Sequence, residues 1–347
     1  MKITSRHITA WILTFCAGAI SLPAHGQSVE EFFKGRQLTL LVGGGGGGSV
    51  DIYGRLVARH IVRFLPGEPV IIVRNLPAAG GVQAFMTMGT TAPRDGSMFT
   101  TSARGPITDP ILATKPAAYD PRKFIWIGAM NDDSSVCFTA PHSKIRTLQQ
   151  ARDTAATMAS TGALAESSKF PLAINEIART QFKVITGYRG ASETLLAVEK
   201  GETDGRCTSI GSLLATQPHI LKDPGYKFLI QVGETKHPAV PDSPLVSDFA
   251  KSPDDRMFLD LIIKPLTVTS SFALPEGVPP ERVQAWRDAF QKTIRDPQFV
   301  AEGKKIGLDI TPRTAQEVTK VINDLYNMPP HVIERARKVF GYNKSSR

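Results

Sequence analysis

Leu38-Thr39-Leu40-Leu41-Val42 runs directly into six glycines, Gly43 to Gly48, and then into Ser49-Val50-Asp51. The first five residues are almost wholly apolar and read as a buried strand. From Ile52 the apolar residues return at roughly helical spacing, at Leu56, Ile61, Phe64 and Leu65. Asp51, near the helix start, complements the helix dipole. Pro66-Gly67 stops the helix, and Val70 to Val73 is a second apolar, β-branched strand. Strand, loop, helix and strand in that order make a βαβ unit, whose strands should be parallel and joined by a right-handed crossover. The fold class is therefore α/β.

The same device recurs at once. The small-residue loop Leu76 to Gly81 opens into a helical stretch from about Val82 to Thr91, then a Pro93-Arg94-Asp95-Gly96 turn and a strand over Met98 to Ser102. Phe124 to Met130, Val136 to Ala140, Val184 to Thr186, Gly205 to Ser209 and Phe228 to Val232 read as further strands. Helices are expected over Thr147 to Met158, Ser192 to Lys200 and Pro280 to Arg295, and Thr314 with Glu317 forms a capping box that opens another.

The chain has 347 residues, 41% hydrophobic and 21% charged, enough for two domains of ordinary size. Residues 1–26 differ from the rest: Lys2 and Arg6 precede an apolar run from Ile8 to Leu22, and Ala24-His25-Gly26 sets small residues before a cut at Gln27. That is the pattern of a secretory signal peptide, and its apolar run is short of the ~20 residues that span a bilayer. Phe15 before Cys16 is too bulky for a lipoprotein signal. Two cysteines then remain, Cys137 and Cys207, in a compartment that permits disulfides. A single bridge between them is expected, the alternative being two separately buried thiols.

Removing Lys2 and Arg6 takes the formal charge from +9 to +7. The basic residues are scattered and not interleaved with aromatics, so nucleic acid is excluded as a partner and a small anion favoured. The glycine run admits three readings. As a linker it is misplaced, because it joins a strand directly to an amphipathic helix. As a phosphate loop it lacks the following Gly-Lys-Ser/Thr; as a dinucleotide loop it matches only because any six glycines do, with Arg74 in the place of a 2′-phosphate contact. As an anion cradle it combines close backbone approach with a helix N-terminus. No nucleophile elbow, His-Glu-x-x-His or Cys-x-x-Cys occurs, and His60, His142, His219, His237 and His331 are isolated. Neither a catalytic centre, a cofactor nor a metal is expected, although an exported nicotinamide oxidoreductase stays as the alternative.

These residues resemble the receptors of tripartite tricarboxylate transporters, the Bug family. The family's Pro-Phe-x-Ala-Gly-Gly-x-x-Asp-x-x-Ala-Arg is similar to Gly43 to Arg55, with Asp51 and Arg55 in the matching places, and its Asn-Arg-Pro-Gly-Ala-Gly-Gly to Asn75 to Gly81. Arg94-Asp95-Gly96, Tyr188-Arg189-Gly190-Ala191 and Gly201-Glu202-Thr203-Asp204 resemble three further motifs in order. Pro-Phe is replaced by Gly43-Gly44, the second motif has Leu76 for its arginine, and Arg206 and Cys207 stand in a strand that is usually apolar.

The resemblance implies a type II periplasmic-binding-protein fold, two α/β lobes around a cleft: residues 27–132 and 266–347 in lobe 1, 133–265 in lobe 2. It implies backbone capture of a ligand carboxylate by Gly46, Gly47, Gly48 and Ser49 with Ala79, Gly80 and Gly81. Second-lobe contacts would come from Ser160, Thr161, Gly162 and Ala163 and from Tyr188, Gly190, Ala191 and Ser192, with Asp204 behind them. Asp51 either joins the contacts or only caps the helix and orders the loop. Tyr53 either reaches the cleft or packs on the helix flank, and Arg206 either faces the cleft as a second anion contact or sits at an exposed strand end. The implied protein is a periplasmic monomer, without cofactor, that hands a carboxylate to the integral membrane subunits of a transporter; a module serving a sensor is the alternative binding role.

Overall fold

The computed structural model describes residues 27–343, so the signal segment read in residues 1–26 lies outside it. The run before the glycines forms β1 (Gln37–Gly43), between and parallel to β2 (Val70–Asn75) and β3 (Met98–Ser102). With neighbours on both sides, β1 is buried at Leu38 and from Leu40 to Gly43. β2 takes the sheet edge, so its equally apolar side chains stay partly uncovered, Val70 at 60% and Ile72 at 37% exposure. Similar composition thus gives different burial, because position in the sheet decides it.

The chain adds β4 (Ile125–Asn131) and then leaves this sheet. β5 (Ser135–Thr139), β6 (Ala156–Ser160), β7 (Phe182–Thr186), β8 (Gly205–Ser209) and β9 (Lys227–Val232) build a second one, ordered β7-β6-β8-β5-β9. β10 (Thr269–Leu274) and β11 (Arg313–Thr314) return to the first, giving β2-β1-β3-β10-β4-β11. In each sheet the strand arriving from the other body, β10 or β5, is antiparallel to both its neighbours. The two orders therefore correspond strand for strand, with β1 matching β6, β2 matching β7 and β3 matching β8. The two crossings run side by side, the Asp133 amide donating to the Leu266 carbonyl at 2.9 Å.

Helices Ser49–Ile61, Pro280–Thr293 and Pro297–Lys305 enclose one apolar cluster of the first sheet around Leu40, Val42, Phe99, Trp286 and Phe290. Each such fully buried side chain contributes roughly 1.5–3 kcal/mol. Val82–Thr90, Gly105–Leu112 and Ala315–Tyr326 contribute to a second cluster, which continues into the second sheet through Glu166–Ala178 and Pro253–Ile263. The C-terminal helix Pro330–Phe340 packs on these last two, and its Arg335 pairs with Glu176 at 2.9 Å and Asp255 at 2.8 Å.

One expected helix is corrected. Thr147 to Met158 is helical only over Leu148–Asp153; Thr154 is extended, and Ala156–Ser160 is β6. The capping box of Thr147 and Gln150 starts the helix. Pairing with β7 and β8 then overrides the weak strand propensity of Ala-Thr-Met-Ala-Ser. Cys137 and Cys207 are direct partners across β5 and β8, with Cα atoms 3.9 Å apart and their sulfurs joined.

Candidate functional site

In open α/β sheets a ligand sits outside the carboxyl ends of the strands, where successive connections depart to opposite sides. β2 and β3 flank β1 on opposite sides, so the glycine run occupies that position. β6 stands in the same place in the second sheet, and its loop is Thr161 to Ala165. The two carboxyl edges are brought together at the crossings. Arg104, two residues beyond β3, donates through Nε to Glu166 (2.7 Å), the first residue of the helix after the β6 loop. It also donates to Asp133 and Thr269, each at 2.9 Å. Asp133 in turn accepts from Ser209 at the end of β8 at 2.8 Å.

The glycine loop is ordered from below. Gly48 precedes the helix Ser49–Ile61 and supplies no side-chain cap, which leaves the first-turn amides without an intrahelical partner. Asp51 turns away from them: its carboxylate accepts from the Gly47 amide (2.8 Å), from Arg55 Nε (2.9 Å) and from Asn75 Nδ2 (2.8 Å). Asn75 also donates to the Gly44 carbonyl at 2.9 Å and accepts from Arg55. Burial would raise the Asp51 pKa, but the bonds from Arg55, Gly47 and Asn75 outweigh it and hold the carboxyl below its ordinary value. Gly47 adopts φ +77°, a left-handed conformation open to glycine at no steric cost.

The second loop presses on the first. Gly81, at φ +95°, precedes Val82–Thr90, again with no side-chain cap. A Cβ there would lie 2.5 Å from the Gly43 carbonyl oxygen, so the close approach requires glycine. Ala79 and Gly80 belong to the 3-10 turn Ala78–Gly81 that leads into it.

Across the crossings, Ser160 is fully buried, and its hydroxyl meets those of Ser167 (2.8 Å) and Ser168 (2.7 Å) and the Gly162 carbonyl (3.2 Å). It shapes the loop that exposes Thr161 and Ala163. Gly190 precedes the helix Ala191–Glu199 without a side-chain cap, and Ala191 and Ser192 are exposed. Glu193 accepts the Arg189 amide at 2.8 Å, as Asp51 accepts that of Gly47: in both lobes the third helical residue reaches back four positions. Elsewhere Ser28, Thr147, Ser209, Ser252, Asp296 and Thr314 cap their helices with side chains, whereas Gly105–Leu112, Pro218–Lys222, Pro280–Thr293 and Pro330–Phe340, each with proline in the first turn, have no side-chain cap. The helices after β1, β2, β6 and β7 have none.

Two expected residues stand apart. Asp204 precedes β8, and its carboxylate is bound by the Thr157 amide (2.8 Å) and hydroxyl (2.7 Å) and by Ser143 (2.8 Å). Thr157 is three residues upstream of Ser160 on β6, about 10 Å by strand rise, so Asp204 stitches the far end of the sheet. Tyr188 packs against the apolar cluster of the second sheet and directs its hydroxyl to Glu202 at 3.5 Å. Tyr53 is buried and donates to the Asp309 carbonyl at 2.6 Å; burial pushes its pKa up. Arg206 is not at an exposed strand end; it is 4% exposed. Arg74, the residue a dinucleotide reading needs, is exposed on the edge strand β2. The cluster of Arg104, Asp133 and Glu166 had no sequence signal, since its members are isolated charges brought together only by topology.

Two α/β bodies joined by paired crossings, with uncapped helix N-termini at corresponding loops, define a two-lobed solute-binding protein. The chain belongs to the tripartite tricarboxylate transporter receptor family: the family model TctC matches residues 54–337, beginning just past the glycine loop. The UPF0065 protein in the gbd 5′ region of Cupriavidus necator is 27% identical over 334 residues, 93% of each chain. A TctC solute-binding protein from Polaromonas shares 18% identity with a TM-score of 0.64, over 88% of this chain and 98% of that one. MatC from Rhodopseudomonas palustris, solved with bound malate, shares 17% identity with a TM-score of 0.61, over 88% of this chain and 99% of that one.

Proposed function

We propose that this chain is a periplasmic receptor that captures a small organic carboxylate between its lobes and delivers it to the membrane subunits of a tripartite tricarboxylate-type transporter. The observation that carries this reading is the set of helices after β1, β2, β6 and β7 that lack side-chain caps, at corresponding loops of the two sheets. Each N-terminus presents unpaired amides and about half a positive charge, which favours an anion. The first-lobe loops Gly46 to Ser49 and Ala79 to Gly81 hold the carboxylate, and Thr161 to Ala163 with Gly190 to Ser192 complete the cage. Asp51 and Glu193 act as positioning residues, holding the loops in shape while the ligand meets backbone groups.

Binding drives closure to the extent that the second-lobe contacts exist only in the closed form. The moving body comprises residues 133–265, and the C-terminal helix bridges the two bodies, since Arg337 donates to the Ile111, Leu112 and Ala113 carbonyls while Arg335 pairs with Glu176 and Asp255. The membership of the family and the malate carried by a fold neighbour support this reading. Thermal-shift measurement of the mature chain against mono-, di- and tricarboxylates tests it. A ligand at a hundred times its Kd should stabilise by about 2.7 kcal/mol. No shift with any carboxylate would refute it.

A further inference from the structure

Five acidic or basic side chains are buried among the described residues: Asp51, His60, Arg104, Lys169 and Arg206. Arg104 is neutralised by Asp133 and Glu166, Lys169 by Asp109, Asp51 by Arg55, and His60 faces Glu302. Arg206 has no carboxylate partner. Its guanidinium donates to the Ala191 carbonyl at 2.6 Å and to the Thr208 hydroxyl at 2.7 Å, which leaves most of its five N–H donors for other partners. Burial alone acts on its pKa, lowering it to about 10, so the group stays protonated at neutral pH.

The position of this cation is informative. Its strand neighbours Phe138 and Ala159 belong to the apolar cluster beneath the helix Ala191–Glu199, so the stem runs through hydrocarbon. The head lies level with Thr208 and Ala191. Thr208 is one residue from the carboxyl end of β8, and Ala191 opens the helix after β7, so both stand at the ligand edge of the sheet. The nearby Glu193 is committed to the Arg189 amide at 2.8 Å and lies beside the Arg189 side chain at 3.7 Å. A buried, uncompensated charge is destabilising, and an apolar residue at this strand position would remove the penalty. An anionic ligand group supplies the missing counter-charge.

We infer that Arg206 is a specificity-determining residue that reads a second anionic group on the ligand, beside the first turn of Ala191–Glu199 and opposite the carboxylate held by the glycine loops. The chain therefore selects dianions over monoanions of the same length. This rests on the carboxylate reading above. Arg206 grips the far end of the ligand, and the closed form, not the open one, brings both ends into contact.

Isothermal titration of the full mature chain tests it, with α,ω-dicarboxylates from malonate to adipate and the ω-monoamide of the one that binds tightest. Wild type should prefer the diacid to its monoamide by about tenfold or more, the scale of a charge-assisted hydrogen bond. Arg206→Met should bring that ratio to within about threefold while changing the monoamide affinity little, and the ligand-free melting temperature should not fall. Arg206→Gln, which retains donors for Ala191 and Thr208, should show the same loss. A preserved ratio in both variants, equal binding of diacid and monoamide by wild type, or equal weakening of both ligands would overturn the assignment of Arg206 and leave the carboxylate reading standing. Failure of both variants to fold would make Arg206 structural and overturn it as well. Wild-type binding of no carboxylate would refute the underlying function.

Discussion

Asp51→Ala tests whether the glycine loop is ordered from outside itself. Asp51 is 3% exposed, and its carboxylate holds the Gly47 amide, Arg55 and Asn75. The three bonds do not count equally. Arg55 is 44% exposed and rehydrates when released, so its share is small. Gly47 is exposed and its amide finds water, whereas Asn75 keeps Gly44 but loses its charged partner. A charge-assisted bond contributes about 1.5–3 kcal/mol, and with the exposed partners discounted the folded state should lose about 2 kcal/mol.

Ligand affinity should suffer at least as much from the same substitution. Fixing one residue's backbone opposes binding by about 1–2 kcal/mol, so releasing even two glycines costs about thirtyfold to a thousandfold in affinity. Urea unfolding reads the first quantity and calorimetric titration with a carboxylate that stabilises wild type reads the second. A folded variant that binds within threefold of wild type would refute the account. The pH dependence carries a sign: the folded pKa of Asp51 is depressed, so its stabilisation is present above the ordinary value of 3.8 and is lost as pH falls through the lower folded value. The Asp51→Ala variant should lack that part of the acid-induced loss in unfolding free energy.

Gly81→Ala places a Cβ 2.5 Å from the Gly43 carbonyl at φ +95°, and should destabilise by about 1–3 kcal/mol and displace the first loop, checked by chemical denaturation and ligand titration. Cys137 and Cys207 are separated by 70 residues, so reduction should lower unfolding free energy by about 4 kcal/mol on the chain-entropy account; thiol titration of unfolded, unreduced protein should find neither thiol free. Arg104→Met leaves Asp133 and Glu166 without their cation and should destabilise by about 3–5 kcal/mol, measured by thermal unfolding; an unchanged melting temperature would remove the crossings from the stability of the fold.

How much of this was legible follows from how local each signal is. The βαβ opening was readable because β1 is apolar throughout, the glycines break it, and the next helix carries its own apolar stripe. β6 was not, because Ala156 to Ser160 has the composition of a helix and becomes a strand only when β7 and β8 flank it. β10 carries no local strand signal for a related reason: Thr269 to Leu274 is half hydroxyl residues, buried because β3 and β4 enclose them. Within the site the glycine positions could be named, since their lack of side chains is itself the signal. The ion cluster of Arg104, Asp133 and Glu166 joins residues 29 and 62 positions from Arg104, a distance no periodicity spans.

The glycine loop itself poses the last question, since the resemblance puts Pro-Phe where this chain has Gly43-Gly44. Loss of that wall should leave six glycines free to wander, each at high entropic penalty when ordered. The structure supplies an answer in residues that the motifs do retain. Asp51 and Arg55 are four apart on one helix face and so can pair, Asn75 lies in register opposite Val42 at the end of the neighbouring strand, and the three together grip Gly44 and Gly47. The spacing Asp-x-x-x-Arg and the Asn of the second motif thus have one physical purpose: a clamp that orders the loop through the Gly47 amide and the Gly44 carbonyl. It follows that the departure at Gly43-Gly44 should be tolerated while the clamp is intact and not otherwise. Restoring Pro-Phe at 43–44 should rescue affinity in Asp51→Ala more than it improves the wild type. Equal gains in both backgrounds would mean that wall and clamp act independently.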